Sequence, residues 1–193
     1  MSFAQQARAE LDRQLAKEAK SQVRLEFSRS FEVIKSKMIK EFLSHPVTVE
    51  IKDGIDAKNS SGTLGGITNL FSFIGFNAGD DPTKSIENLL QSTNFRFEGT
   101  GIRTIKFKVE LPTARDIFDA TPMPWAAGRS WARGIESGIS GLGYYLKVSK
   151  NSRSGLGIQS PKKVRKKGVK FKNTKYISDL IKRYEIEFSN IKI

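Results

Sequence analysis

The stretch from Ser2 to Ser44 constrains this chain most, because it contains neither glycine nor proline. Apolar residues recur at Phe3, Ala7, Leu11, Leu15, Ala19 and Val23, then at Phe27, Phe31, Ile34, Met38 and Phe42. Those steps of three and four predict a helix with one apolar stripe along a single face. Glu10 with Arg13, and Glu32 with Lys35, stand at a spacing that lets opposite charges meet on a helix surface. Some forty residues rising ~1.5 Å each make a rod of roughly 60 Å, longer than a domain of this size is wide. The rod either breaks near Lys20-Ser21-Gln22 or sends its first half outward to pack on another chain. The second outcome is expected here. The first half carries a thin stripe of Ala and Leu, whereas the second half holds the large residues that a core needs.

Pro46 ends the rod, since His45 before it is pushed out of the helical region. Val47-Thr-Val-Glu-Ile51 alternates and is read as a strand. Asp53 to Gly66 is rich in turn formers and is read as a long loop. Asn69 to Phe76 is strongly apolar and aromatic, a buried strand. Asp80-Asp81-Pro82 is an acidic cap opening a helix with Ile86, Leu89 and Leu90 inward. Phe95–Glu98 and Ile102–Leu111 form a hairpin through Gly99-Thr-Gly101. Pro112-Thr113 starts a short helix ending at Phe118, Met123-Pro-Trp125 is a rigid turn, and Ala126 to Ser137 is helical. Ser140 to Val148 is a final strand. Asn173 or Thr174 caps a last helix bearing Tyr176, Ile177, Leu180, Ile181 and Tyr184. The expected class is α+β: a mostly antiparallel sheet with a long N-terminal helix, packed helices and long inserted loops. Residues 1–44 form the amphipathic helix, arm plus core part. Residues 45–193 form the α+β domain, with a basic loop over 149–173 and a C-terminal helix over 174–190.

Charge is the second strong signal. The chain has 193 residues, 33 Lys and Arg against 20 Asp and Glu, and a net charge of +13. More than half of that excess lies in residues 161–175, which hold eight basic groups and no acid. Such a segment repels itself unless an anion is near, so it is either a solvated basic loop or a contact for nucleic acid or an acidic protein face. The residues concerned are Lys162, Lys163, Arg165, Lys166, Lys167, Lys170, Lys172 and Lys175, and Arg153 upstream is a further candidate for the same contact.

Catalytic chemistry finds little footing. The absence of cysteine excludes disulfides, thiolate catalysis and Cys-based zinc sites, and a single His excludes a multi-histidine metal site within one chain. His45 has no local nucleophile or orienting carboxylate around it and reads as structural. Asp80-Asp81 is explained by capping. Gly62-Thr-Leu-Gly-Gly66 and Gly138-Ile-Ser-Gly-Leu-Gly143 lack the Gly-Lys-Ser/Thr ending of a phosphate loop and the spacing of a dinucleotide fingerprint. The chain is therefore read as a non-enzyme without cofactor or metal. A carboxylate-based hydrolase assembled from distant segments is the enzymatic rival. No apolar run is long enough to span a membrane, and the N-terminus has no signal-peptide layout.

Assembly suits the sequence better. The front helix and the segments 53–66 and 149–173 look like arms, which gain order when they are buried on a neighbour. Leu11, Leu15, Leu64, Trp125, Arg129 and Trp131 are candidate subunit-interface residues, the tryptophans and Arg129 because such residues anchor interfaces. Core packing is the equal alternative for both tryptophans.

Three segments resemble the tail-completion or neck proteins of tailed bacteriophages. They are the helix leading into His45-Pro-Val-Thr-Val-Glu-Ile51, the run Ser61 to Phe76, and Pro124 to Gly138 followed by Ser152 to Gln159. In that family a Gly-Thr-Leu loop after the first helix and a later Glu-x-Gly turn recur. Here they match Gly62-Thr63-Leu64 and Glu136-Ser137-Gly138. The chain departs from the common form in its longer N-terminal helix and its basic insertion at 161–175. The resemblance implies a non-enzymatic virion protein, assembled in the host cytoplasm, that forms a homo-oligomeric, commonly hexameric, ring. Its expected partners are neighbouring neck, connector and tail-tube proteins, with DNA passing through the centre. A head-closure or adaptor component and a basic nucleic-acid-binding protein are the alternatives.

Overall fold

The computed structural model describes residues 3–64, 68–100, 104–138, 146–147, 158–159 and 171–193. Helix α1 runs unbroken from Phe3 to Ser44, as expected of a stretch without a helix breaker. His45 then takes an extended conformation, and its Nδ1 accepts the N–H of Val47 at 3.2 Å. With Pro46 in the first turn, this cap opens α2 over Pro46–Lys52. The strand expected at Val47–Ile51 is therefore a helix. Its buried residues, Val47, Thr48, Glu50 and Ile51, follow helical rather than alternating spacing.

A 3-10 turn at Gly54–Asp56 follows. The second expected strand, Asn69–Phe76, is also helical: α3 spans Leu70–Ile74. The Asn69 side chain accepts the N–H of Ser72, and Gly75 ends the helix at φ 88°. A left-handed residue at this position favours glycine. Helix α4 covers Lys84–Gln91 and starts later than the sequence suggests. Asp81 instead accepts from the N–H and hydroxyl of Thr83, while Asp80 accepts from the N–H of Asn77.

Strands β1 (Asn94–Thr100) and β2 (Ile105–Glu110) pair antiparallel, with Phe97 opposite Phe107 and Phe95 opposite Val109. Helix α5 (Ala114–Asp119) opens on a capping box between Thr113 and Asp116. Next come β3 (Pro122–Met123), β4 (Ala126–Ser130) and α6 (Trp131–Ser137). The expected helix over 126–137 is thus a strand for its first five residues, paired back on β3. Leu146–Lys147 (β5) pairs with Ile158–Gln159 (β6), and α7 runs from Ile177 to Ser189. Among the described residues every sheet is two-stranded and antiparallel, so the α+β class holds, with helices supplying most of the core.

Helix α1 contributes to that core through Phe27, Phe31, Met38 and Phe42, and it packs on α2, α4 and α7. Phe27 stacks on Phe107 with ring centres 4.1 Å apart, and Phe31 meets Phe95 and Phe188. The β1–β2 hairpin and the end of α7 thus close on the same two turns of α1. Upstream of Phe27 the helix leaves the domain.

The projecting half corrects the single-face reading. From Phe3 to Phe31 every apolar step is four residues, and each step of four turns the stripe by about 40° around the axis. Measured from Phe31, the buried Phe27, Met38 and Phe42 lie within about 40° of it, whereas Leu11 and Leu15 lie about 160° and 200° away. The front leucines therefore point opposite to the core side.

Candidate functional site

Four large apolar residues of α1 are exposed: Leu11 (56%), Leu15 (55%), Leu25 (46%) and Val33 (69%). On the helical wheel Leu25 sits about 120° and Val33 about 200° from Phe31, so all four share the outward face. They form a ridge interrupted by Glu18, Gln22 and Arg29. Gln22 Nε2 donates to Glu26 at 2.9 Å, and Glu10 pairs with Arg13 at 3.8 Å.

A second surface feature lies on the other side of α1. A groove of about 990 Å³ runs between β2 and α7, with Phe27, Phe107, Ile181 and Phe188 among its apolar lining. Exposed Lys106, Lys108 and Lys182 edge it, together with Glu98 and Glu185. Ridge and groove are separate surfaces, and α1 contributes to both.

The root of the arm is held firmly. Arg183 on α7 bonds the Glu41 carboxylate and also pairs with Asp179 at 3.1 Å, while the Tyr184 hydroxyl donates to Glu41 at 2.6 Å. Lys37 reaches Glu187 at 2.8 Å. The Arg183 hydrogen bond holds the Glu41 carboxyl below its ordinary range, against the opposing effect of burial. The Tyr184 phenol is pushed up by burial first and by Glu41 second. Lys35 donates to the Thr93 carbonyl at 2.7 Å rather than pairing with Glu32 as its spacing suggests. These ties join the second half of α1 to α7 and to the turn that follows α4.

His45 serves as a helix cap, its ring 4.9 Å from that of Tyr176. Accepting from Val47 fixes Nδ1 as unprotonated in the neutral ring. Burial depresses its pKa, with Arg183 acting the same way and Glu41 and Asp179 opposing. Among the described residues no cluster of three or more His, Asp or Glu could hold a metal ion, and no helix is long and apolar enough to cross a membrane.

The segment expected to reach out as a loop over 53–66 is fastened to its own domain as far as Leu64. The fully buried Glu50 accepts from the N–H of Ser61 and of Leu70, each at 2.8 Å. Asn69 donates to the carbonyls of Ile55 and Ala57, and Asn59 to that of Thr68. Neither Glu50 nor the Glu41–Arg183 pair stands out in the sequence, because a carboxylate in an alternating run looks solvent-facing.

The interface candidates divide accordingly. Leu64 (5% exposed) and Trp131 (1%) are core residues of the chain itself, which removes them from the surface. Leu64 belongs to the apolar core cluster, three residues after the Ser61 whose N–H Glu50 holds. Trp131 meets Phe76 edge-on at 5.9 Å. Trp125 is partly exposed but tethered, its indole N–H donating to the Ile74 carbonyl at 2.7 Å. Arg129, Leu11 and Leu15 remain on the surface. Of the basic candidates, Lys172 is exposed, and its backbone N–H bonds the Thr63 carbonyl at 2.9 Å. Arg153, Lys162, Lys163, Arg165, Lys166, Lys167 and Lys170 lie outside the described residues, as does most of the strand expected at 140–148. Leu25, Val33 and the groove are absent from the sequence expectations; the uniform step of four was the signal that the stripe changes face.

Comparison with family models, curated proteins and solved structures yields no match to this chain.

Proposed function

We propose that this chain is a structural virion protein of a tailed bacteriophage. In this reading it is a ring component of the neck, a tail terminator or tail-completion protein that joins the tail tube to the head connector. The observation that carries the assembly part is the projecting half of α1, whose exposed leucines face away from the domain that anchors it. Burying such residues is favourable by about 25 cal/mol per Å² of apolar surface, and a partner chain is what supplies the cover. The phage assignment rests on the three-segment resemblance. The chain acts mechanically: the α+β body makes the ring wall, the arm grips neighbours, and the basic stretch 161–175 meets DNA in the channel or an acidic face of a neighbouring protein. It assembles in the host cytoplasm and resides in the virion. A head-closure or adaptor position is the nearest variant of the same reading.

The test is electron microscopy of the purified protein, alone and mixed with isolated tails. Rings, or a cap at the tail end, are expected. A monomer that also leaves tails undecorated overturns the proposal.

A second reading, a basic nucleic-acid-binding protein, is favoured by the concentration of eight cations in residues 161–175. Such binding is salt-dependent and indifferent to sequence. Deleting 161–173 abolishes a salt-sensitive DNA shift if the segment is the contact. DNA binding that persists after the deletion with a strong sequence preference would count against the neck reading.

A further inference from the structure

We infer that the arms of two copies pair antiparallel, outward ridge against outward ridge, about a two-fold axis level with Lys20. The inference rests on the assembly reading above in one respect, that a partner chain covers the ridge, and it names that partner for the free protein.

Spacing defines the surface. Leu11, Leu15, Glu18, Gln22, Leu25 and Arg29 follow one another in alternating steps of four and three, the spacing of a coiled-coil seam. All six are exposed. They stand on an unbroken helix, between about 120° and 200° from Phe31. The seam is thus a strip opposite the core face, and its three leucines are the ones the body leaves uncovered. The arm mixes signs, with Arg8, Glu10, Arg13, Lys17, Glu18 and Glu26, so it lacks the uniformly basic face that suits nucleic acid or an anionic membrane.

The order of residues along the seam selects how two copies meet. In a parallel pair each seam residue faces its own counterpart, which sets Glu18 against Glu18 and Arg29 against Arg29. With the chains reversed about Lys20, Leu15 faces Leu25 of the other copy, Glu18 faces Gln22, and Leu11 lies against the aliphatic stem of Arg29. Each contact occurs twice, and all of them form together. Gln22 gives one amide N–H to Glu26 of its own helix and keeps a second for Glu18 of the other copy. Beyond the seam, Arg8 comes level with Glu32, of opposite sign, and Val33 with Ala7. A like-charged approach, Glu26 towards Asp12, falls on the rim, where water screens it.

Other registers fit less well. Sliding one heptad either way sets every seam leucine against a polar residue. Sliding two heptads towards the tips pairs Leu11 with Leu15 but leaves Leu25 and Val33 at or beyond the end of the overlap. Sliding two heptads towards the roots sets Leu11 and Leu15 against Leu43 and Ile39. Those two already pack on their own core, and Ile39 lies only about 80° from Phe31. About Lys20, each body stays at the root of its own arm, on the face away from the seam, so the two bodies sit at opposite ends and do not obstruct the pair. The contact is isologous and closes on two copies.

The chain has no cysteine, so single thiols can be placed cleanly. Gln14→Cys, Ser21→Cys and Ser28→Cys lie on one flank of the seam, a heptad apart, and none of these side chains is buried. Each variant, checked for folding by thermal melting, is treated with a short bis-maleimide. Ser21 stands beside the proposed axis, whereas two Gln14 residues would be about 18 Å apart along it. The expected result is a self-linked dimer of Ser21→Cys several-fold more abundant than that of the other two. Dominant linking of Gln14→Cys or of Ser28→Cys places the axis elsewhere and overturns the inference. Equal linking of all three means parallel arms and overturns it, as does the absence of any linked product. Light scattering of the parent protein separates this inference from the assembly reading. A multimer without preferential Ser21→Cys linking removes the inference alone. A monomer removes the inference, and removes the assembly reading as well if it leaves isolated tails undecorated.

Discussion

Glu50 shows how one side chain organises the region around the arm's base. Its carboxylate is fully buried and answers two backbone N–H groups, those of Ser61 and Leu70. Glu50→Ala strands both donors, and a buried unsatisfied group costs about 1–3 kcal/mol. Urea unfolding should therefore show a loss of about 2–4 kcal/mol, with Glu50→Gln recovering part of it. A variant as stable as the parent would contradict the role assigned to Glu50. His45 makes a second residue-level prediction. Its pKa lies below the ordinary 6.5 because burial disfavours the charged ring. As pH falls, the unfolded chain takes up the proton first, so the contribution is complete above about pH 6.5 and is lost as pH drops through the folded value. His45→Asn keeps a capping acceptor and removes the titration. The variant should lose less stability than the parent between about pH 7 and about pH 5. Equal losses in thermal melts across that window would refute the assignment.

At the scale of elements, the caps decide what the apolar pattern leaves open. Asn69 to Phe76 is buried at nearly every position, and a segment buried all round has no period to read. The decision lies in Asn69 and Gly75, six residues apart, which cap the two ends of a five-residue helix. Val47 to Ile51 alternates, yet the His45-Pro46 start imposes a helix. Segments with a clear 3.6 period were legible: Ile177, Leu180, Ile181 and Tyr184 all turn inward, as do Ile86 and Leu90. The β1–β2 hairpin was also legible, because its alternation is carried by Phe95, Phe107 and Val109 against one side of α1. Half of the candidate surface was visible as Leu11 and Leu15. The groove was not, because it joins β2 to a helix some seventy residues later, and no local pattern encodes that contact. Gly75 tests the capping argument. An added Cβ there would sit 3.4 Å from Trp125 Cδ1, in a left-handed conformation at φ 88°. Gly75→Ala should cost about 1–2 kcal/mol from the backbone alone. A change within error of zero in chemical denaturation would show that α3 tolerates a different ending.

For the whole molecule, the central distinction is between the body and the arm. The body holds its apolar residues in one contiguous cluster and fastens the 53–64 segment to itself. The arm carries its leucines on the far side of a helix whose other half is locked by Glu41, Arg183 and Lys37. One of the three segments first read as arms is therefore part of the body, and the assembly argument now stands on α1. Multi-angle light scattering of the parent protein beside the Leu11→Ser/Leu15→Ser double variant addresses this most directly. The account predicts a multimeric parent and a monomeric variant that still unfolds cooperatively, since neither leucine supports the body. A monomeric parent that also leaves isolated tails undecorated, or a double variant that keeps the mass of a multimeric parent, would contradict it.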